Sequence, residues 1–191
     1  MDSKYISSVE KQLLYYKQLA ESAMNQVSDK ELFSSDYSTS TSRYNSSMGL
    51  IVKHICGNMK SRWTNVFEED GEKEWRDRDD EFTPSINSRE ELLELWESSW
   101  KIFTDLVSSL ANEDLYRIVY IRNMGHTLTE AINRQLMHYA YHIGQVVLIA
   151  KQYRGDQWKS LSIPLGTSKE YNASKFSQEK TEKNFIDDLL S

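Results

Sequence analysis

Two histidines, His138 and His142, stand four residues apart in a stretch of helical periodicity. On an α-helix, positions i and i+4 share one face about a turn apart, so both imidazoles could offer a nitrogen to one metal ion. A third histidine, His54, lies in the middle of another helical stretch, spaced by fours with Leu50 and Asn58 beside the main apolar stripe. If those two helices are neighbours, three imidazoles converge. Three histidine ligands leave a further position for water or substrate, the arrangement of a catalytic rather than a structural site. The competing readings are an exposed or core-satisfied pair, and for His54 a buried neutral imidazole held by one hydrogen bond. His126, just ahead of the last long helix, reads either as a surface loop residue or as a substrate contact.

Residues in register with the histidines extend the pattern. Arg134 continues the run of fours through His138 and His142, and Gln145 lies on the same face; on the other helix Asn58 and Arg62 extend the line from His54. An amide could orient a ligand from behind, and a guanidinium could hold an anionic substrate group. Gly57 and Gly144 fall inside helices, where glycine costs about 0.5–1 kcal/mol relative to Ala, so each is expected to permit either close approach or helix packing. Cys56 points away from His54 around the helix and reads as a core thiol.

The elements that must position these residues are legible in the apolar spacing. Ile6, Val9, Leu13, Tyr16, Ala20, Ala23 and Val27 alternate three- and four-residue steps, the stripe of a first amphipathic helix. Residues 28–45 show no period and read as a connection. A second helix starts near Ser46 or Ser47 and carries Met48, Val52, Ile55, Met59, Trp63 and Val66. Ser88 with Glu91 fits a capping box for a third helix, whose expected buried face is Leu92, Leu95, Trp96, Ile102, Phe103, Leu106 and Leu110. Tyr116 to Arg122 is β-branched and aromatic and reads as a short extended segment or one arm of a hairpin. Thr127 with Glu130 caps the fourth helix, which ends in Lys151, Arg154 and Gly155.

Four amphipathic helices predict an all-α protein, a four-helix bundle. The gap of about 20 residues between the second and third could span roughly 66 Å extended, against about 30 Å for a 20-residue helix, so a crossover connection is permitted. After the fourth helix Trp158, Leu161, Ile163 and Pro164 read as an extended strap, followed by a polar tail with a last turn at 185–190. One domain over 1–172 and a C-terminal tail over 173–191 are expected.

Composition limits the partners. The 191 residues include 29 acids and 23 bases, a formal net charge of −6, with only 7 Gly, 2 Pro and one cysteine. That balance argues against binding nucleic acid or an anionic membrane, and the single cysteine removes any internal disulfide framework. The lopsided stretch is 68–82, with nine acids against Lys73, Arg76 and Arg78; the remaining 20 acids and 20 bases cancel. No apolar block of signal-peptide or membrane-span length is visible, so a cytoplasmic location is expected.

The stretches Ile51 to Met59 with Arg62 and Trp63, and Ala131 to Gln145, resemble the DinB and YfiT-like superfamily of metalloproteins, most closely an uncharacterised bacterial branch of it. The Ile121-Arg122 pair followed by His126, and the Trp158 to Pro164 segment, fit the same branch. The resemblance covers roughly residues 5–172. It implies a DinB-like four-helix bundle with a crossover, and a divalent metal on His54, His138 and His142. It also implies a homodimer and a small-molecule substrate, with a low-molecular-weight thiol as co-substrate. Zinc or nickel is expected, although imidazole also suits copper and iron. The function expected is a metal-dependent enzyme of the thiol S-transferase or hydrolase type, with its catalytic residues unassigned. The alternative is a non-catalytic helical bundle serving as a stress or dimerisation module, in which Trp63, Trp75, Trp96, Trp100 and Trp158 mark core or interface.

Overall fold

The computed structural model describes residues 4–36 and 46–187, and these are mostly helical with one small antiparallel sheet. Helix α1, Lys4–Met24, follows the three-four stripe and buries Val9, Leu13, Ala20 and Ala23. Val27 is buried too, but from the turn beyond the helix. The connection expected over 28–45 contains a short helix, α2, Asp29–Phe33, which corrects the aperiodic reading. Ser28 and Glu31 close a reciprocal capping box there. Five residues are too few to show a period, so only the box could have announced this helix. The rest of that connection, 37–45, lies outside the described residues.

Helix α3, Met48–Trp63, begins at Ser47, whose hydroxyl accepts from the Leu50 N–H at 3.2 Å. Helix α4, Arg89–Ser109, begins at Ser88, which accepts from the Glu91 N–H at 3.1 Å. Its buried face is Leu92, Trp96, Ser99, Trp100, Phe103 and Val107. Leu95, Ile102 and Leu106 therefore sit at the margin of the core, and Leu110 is the C-cap, not part of the stripe. The shift reflects two tryptophans four apart, whose bulk sets which side of the helix faces inward.

Strands β1, Ile118–Ile121, and β2, Met124–Thr127, form a hairpin with Ile121 opposite Met124 and Ile118 opposite Thr127. Its two-residue tip, Arg122 and Asn123, takes φ of 55° and 60°, the left-handed pair that matches strand twist. Asp70 holds this tip, accepting from both backbone N–H groups at 2.8 Å. The acidic stretch 68–82 is thereby fastened to the hairpin, with Gly71 N–H also donating to the Tyr120 carbonyl. Helix α5, Leu128–Arg154, follows directly, opened by the Thr127–Glu130 box and closed at Gly155.

The long helices pack so that α1 touches α4 and α5, and α3 touches α4 and α5. Between them lies an aromatic centre. Trp63 stacks on Phe103 with ring centroids 4.2 Å apart and donates its indole N–H to the Tyr139 hydroxyl at 3.1 Å. Trp96 and Trp100 complete it, whereas Trp75 is exposed and Trp158 half-buried. Cys56 is fully buried, and burial pushes its thiol up to about 12, so it stays protonated at neutral pH.

Beyond α5, the strap is fixed where Gln26 exchanges hydrogen bonds with the backbone of Lys159 in both directions. Trp158 and Leu161 pack on the core, while Ile163 and Pro164 line an open groove beside Tyr15 and Tyr171. A further helix, α6, Ser168–Phe176, forms where a polar tail was expected to start at 173. Ile186 is buried within the turn at 185–187, and residues 188–190 of the expected last turn are outside the described residues. No helix among the described residues is long and apolar enough to cross a membrane.

Candidate metal centre

The contact between α3 and α5 brings His54 to His138 and His142. One ligand atom from each lies within 4.8 Å of the others, and His138 Nε2 and His142 Nε2 are 3.2 Å apart. Two nitrogens on one zinc ion at 2.0–2.1 Å with tetrahedral angles would be about 3.3 Å apart, so this pair is already at ligand spacing. Burial first, and then the crowding of a second imidazole, His142, and the guanidinium charges of Arg62 and Arg76, pull His138 down to about 3; burial likewise lowers His142. Both imidazoles are therefore neutral at pH 7, with a lone pair to give.

Each Nδ1 has a partner behind it. His54 Nδ1 lies 2.7 Å from Glu81 Oε2, both side chains being buried. His142 Nδ1 lies 2.8 Å from Gln145 Oε1, and His138 Nδ1 lies 3.0 Å from Gln135 Nε2. Gln135 also donates to Asn58 Oδ1, which ties α3 to α5 directly behind the histidines. These contacts fix the three rings, with the Nε2 atoms of His138 and His142 facing each other, and an acceptor behind Nδ1, as at His54 and His142, also raises the ring's basicity.

Glu81 is one of two residues at the centre, with Gln135, that the sequence pattern did not single out. It sits in a single 3-10 turn, Asp80–Phe82, inside the acidic stretch, where nothing in the periodicity separates it from eight neighbouring acids. Arg76 grips it with Nε to Oε1 at 2.7 Å and Nη2 to Oε2 at 2.9 Å. Desolvation would raise this carboxyl, but the bonds from His54 and Arg76 outweigh it and hold it below the usual carboxylate range. It remains an anion. The room for it comes from Gly57, where an added Cβ would overlap the carboxylate, 2.8 Å from Glu81 Cδ. Close approach thus explains Gly57; at Gly144 nothing lies within 4 Å of that position.

The remaining expected residues divide. Asn58 and Gln145 join the network as described. Arg62 is 5% exposed on α3, with Nε and Nη1 unpartnered among the described residues and Nη2 4.0 Å from Glu72. Burial pulls it down to about 10. Arg134 is exposed on α5, felt by Arg62 only through its charge. His126 belongs to β2, opposite Val119, not to a loop, and its buried Nε2 has no partner among the described residues. Gln135 was overlooked because a neutral amide among apolar neighbours carries no sign of chemistry, although its i−3 spacing to His138 put it within reach.

A family model described as a protein of unknown function, DUF1572, matches residues 1–167. No curated protein and no solved structure matches the chain.

Proposed function

The chain belongs to the DUF1572 family, and we propose that it is a divalent-metal protein, with His54, His138 and His142 as ligands in a DinB-like four-helix bundle with a crossover, acting as a thiol S-transferase or hydrolase. The observation that carries this reading is the convergence of three imidazoles, one ring nitrogen from each lying within 4.8 Å of the others while every Nδ1 has a side-chain partner. A structural zinc site would close the sphere with a fourth protein ligand, whereas this set supplies three. Zinc or nickel is the ion proposed, within the range of metals that imidazole accepts. When bound, such an ion supplies Lewis-acid activation of a thiol or water at neutral pH.

The chain's own residues prepare that chemistry. Glu81 accepts the His54 Nδ1 proton and Gln145 accepts that of His142, which leaves each Nε2 lone pair free. His138 differs. Gln135 donates to its Nδ1, so the His138 proton sits on Nε2, pointing at His142 Nε2. Ligation through His138 Nε2 requires that proton on Nδ1, with Gln135 turned to present its oxygen and Asn58 turned to donate in its place. The amide pair is a two-position latch on the ligand's tautomer.

The test is metal analysis of untagged protein beside a His138→Ala, His142→Ala double variant. One divalent ion per chain in the wild type and none in the variant is expected; equal content in both rejects the assignment. Turnover is sought with low-molecular-weight thiols and esters on the metal-loaded protein, and a metal-free protein that stays folded but loses turnover separates an enzyme from a non-catalytic module.

A further inference from the structure

Two exposed aromatic side chains touch the histidine cluster. Phe82 stacks on His54 with centroids 4.8 Å apart and planes 29° apart, and it is 37% exposed. Tyr141 meets His142 edge-on at 4.8 Å and is 64% exposed. Among the described residues, every other ring in contact with the three histidines is a histidine or the buried Tyr139. Folding does not require either ring to face water, because neither belongs to the core. Tyr141 also accepts from Gln145 Nε2 at 3.4 Å, the same amide that orients His142.

A guanidinium completes the surround. Of the three bases in 68–82, Lys73 pairs with Glu69 at 3.0 Å and Arg76 with Glu72 and Glu81. Arg78, although surrounded by acids in sequence, has no carboxylate partner among the described residues; its Cζ lies over the Phe82 ring, 5.6 Å from the centroid. An exposed, unpaired guanidinium above a ring that stacks on a ligand is placed to meet an anion arriving at the site.

We propose that Phe82, Tyr141 and Arg78 form a substrate subsite at the three-histidine centre, which takes a monocarboxylate with a flat or apolar body. This rests on the metal reading above. The rings supply apolar, polarisable surface for the body, and the guanidinium fork takes the carboxylate. A dianion such as phosphate is disfavoured because Asp77 and Asp79 stand exposed on the same stretch and repel it twice as strongly per molecule, whereas Asp80 is paired with Lys53 at 2.8 Å.

The experiment uses the full chain loaded with Co(II), whose visible absorption reports its coordination, titrated with benzoate and, in parallel, with benzamide and inorganic phosphate. Benzoate is expected to change the spectrum saturably, with the other two at least about tenfold weaker. Arg78→Gln should weaken benzoate about tenfold with cobalt affinity unchanged, and Arg78→Lys should recover part of the loss. Tyr141→Leu should weaken benzoate more than acetate. Equal binding of benzoate and benzamide, or an Arg78→Gln protein that binds benzoate as the wild type does, overturns the subsite. A chain that develops no cobalt band before any ligand is added overturns the metal reading itself, and with it the subsite.

Discussion

Glu81 and Gly57 form a matched pair across 24 positions of sequence, since the carboxylate occupies the space that a side chain at 57 would fill. Two substitutions therefore probe one contact from opposite sides. Glu81→Gln keeps the volume but removes the charge that Arg76 and His54 share, and it is expected to weaken metal binding about 10–100-fold, read by chelator competition. Gly57→Ala keeps the carboxylate but displaces it, and the same loss of affinity is expected although alanine favours the helix. A Gly57→Ala protein with unchanged affinity would show that His54 needs no acid behind it. The histidines themselves were legible in the sequence because their ring chemistry is rare and their spacing periodic. Glu81 was not, because one carboxylate among nine acids in an irregular segment has neither property.

At the scale of elements, the stretch 68–82 behaves as a fastened strap rather than a loose solvated loop. Its anchors include Asp70 on the hairpin tip and Glu81 on His54. Burial works to raise the Asp70 carboxyl, but backbone N–H groups of Asn123, Glu72 and Arg122 outweigh it and leave the group below its ordinary value. A folded-state pKa below the unfolded one contributes stability above the unfolded value of about 3.9, and that contribution is lost as pH falls through the folded value. Asp70→Asn is accordingly expected to lower the melting temperature at pH 7 and to match the wild type at the acid end of a series of thermal melts. A difference independent of pH would assign the contact to shape rather than charge. The long helices were readable because their stripes run for many turns and their caps have fixed chemistry. The sequence left open whether Tyr116 to Arg122 was paired, and pairing depends on a tip that Asp70 holds from 52 residues away. Helix α6 carries too few apolar residues to show a stripe and buries none.

For the whole molecule, the site is a cross-link between two helices that also share the aromatic centre. Filling it should stabilise the fold by mass action, about 2.7 kcal/mol when the free ion is a hundredfold above its Kd. The expected outcome is a lower melting temperature in chelator, restored by zinc, and no response in the His138→Ala, His142→Ala variant. Equal melting temperatures with and without chelator in the metal-loaded wild type would detach the histidines from the folding equilibrium. The connection between site and core has an optical consequence. His138 and Tyr139 are adjacent and their rings lie 5.9 Å apart, Tyr139 accepts the Trp63 indole proton, and Trp63 lies flat on Phe103. Trp63 is thus a built-in lamp beside the centre. Loading with paramagnetic nickel or cobalt should dim its emission while zinc leaves it bright, and Trp63→Phe should reduce that contrast to what Trp100, 5.8 Å from the same Tyr139 ring, contributes.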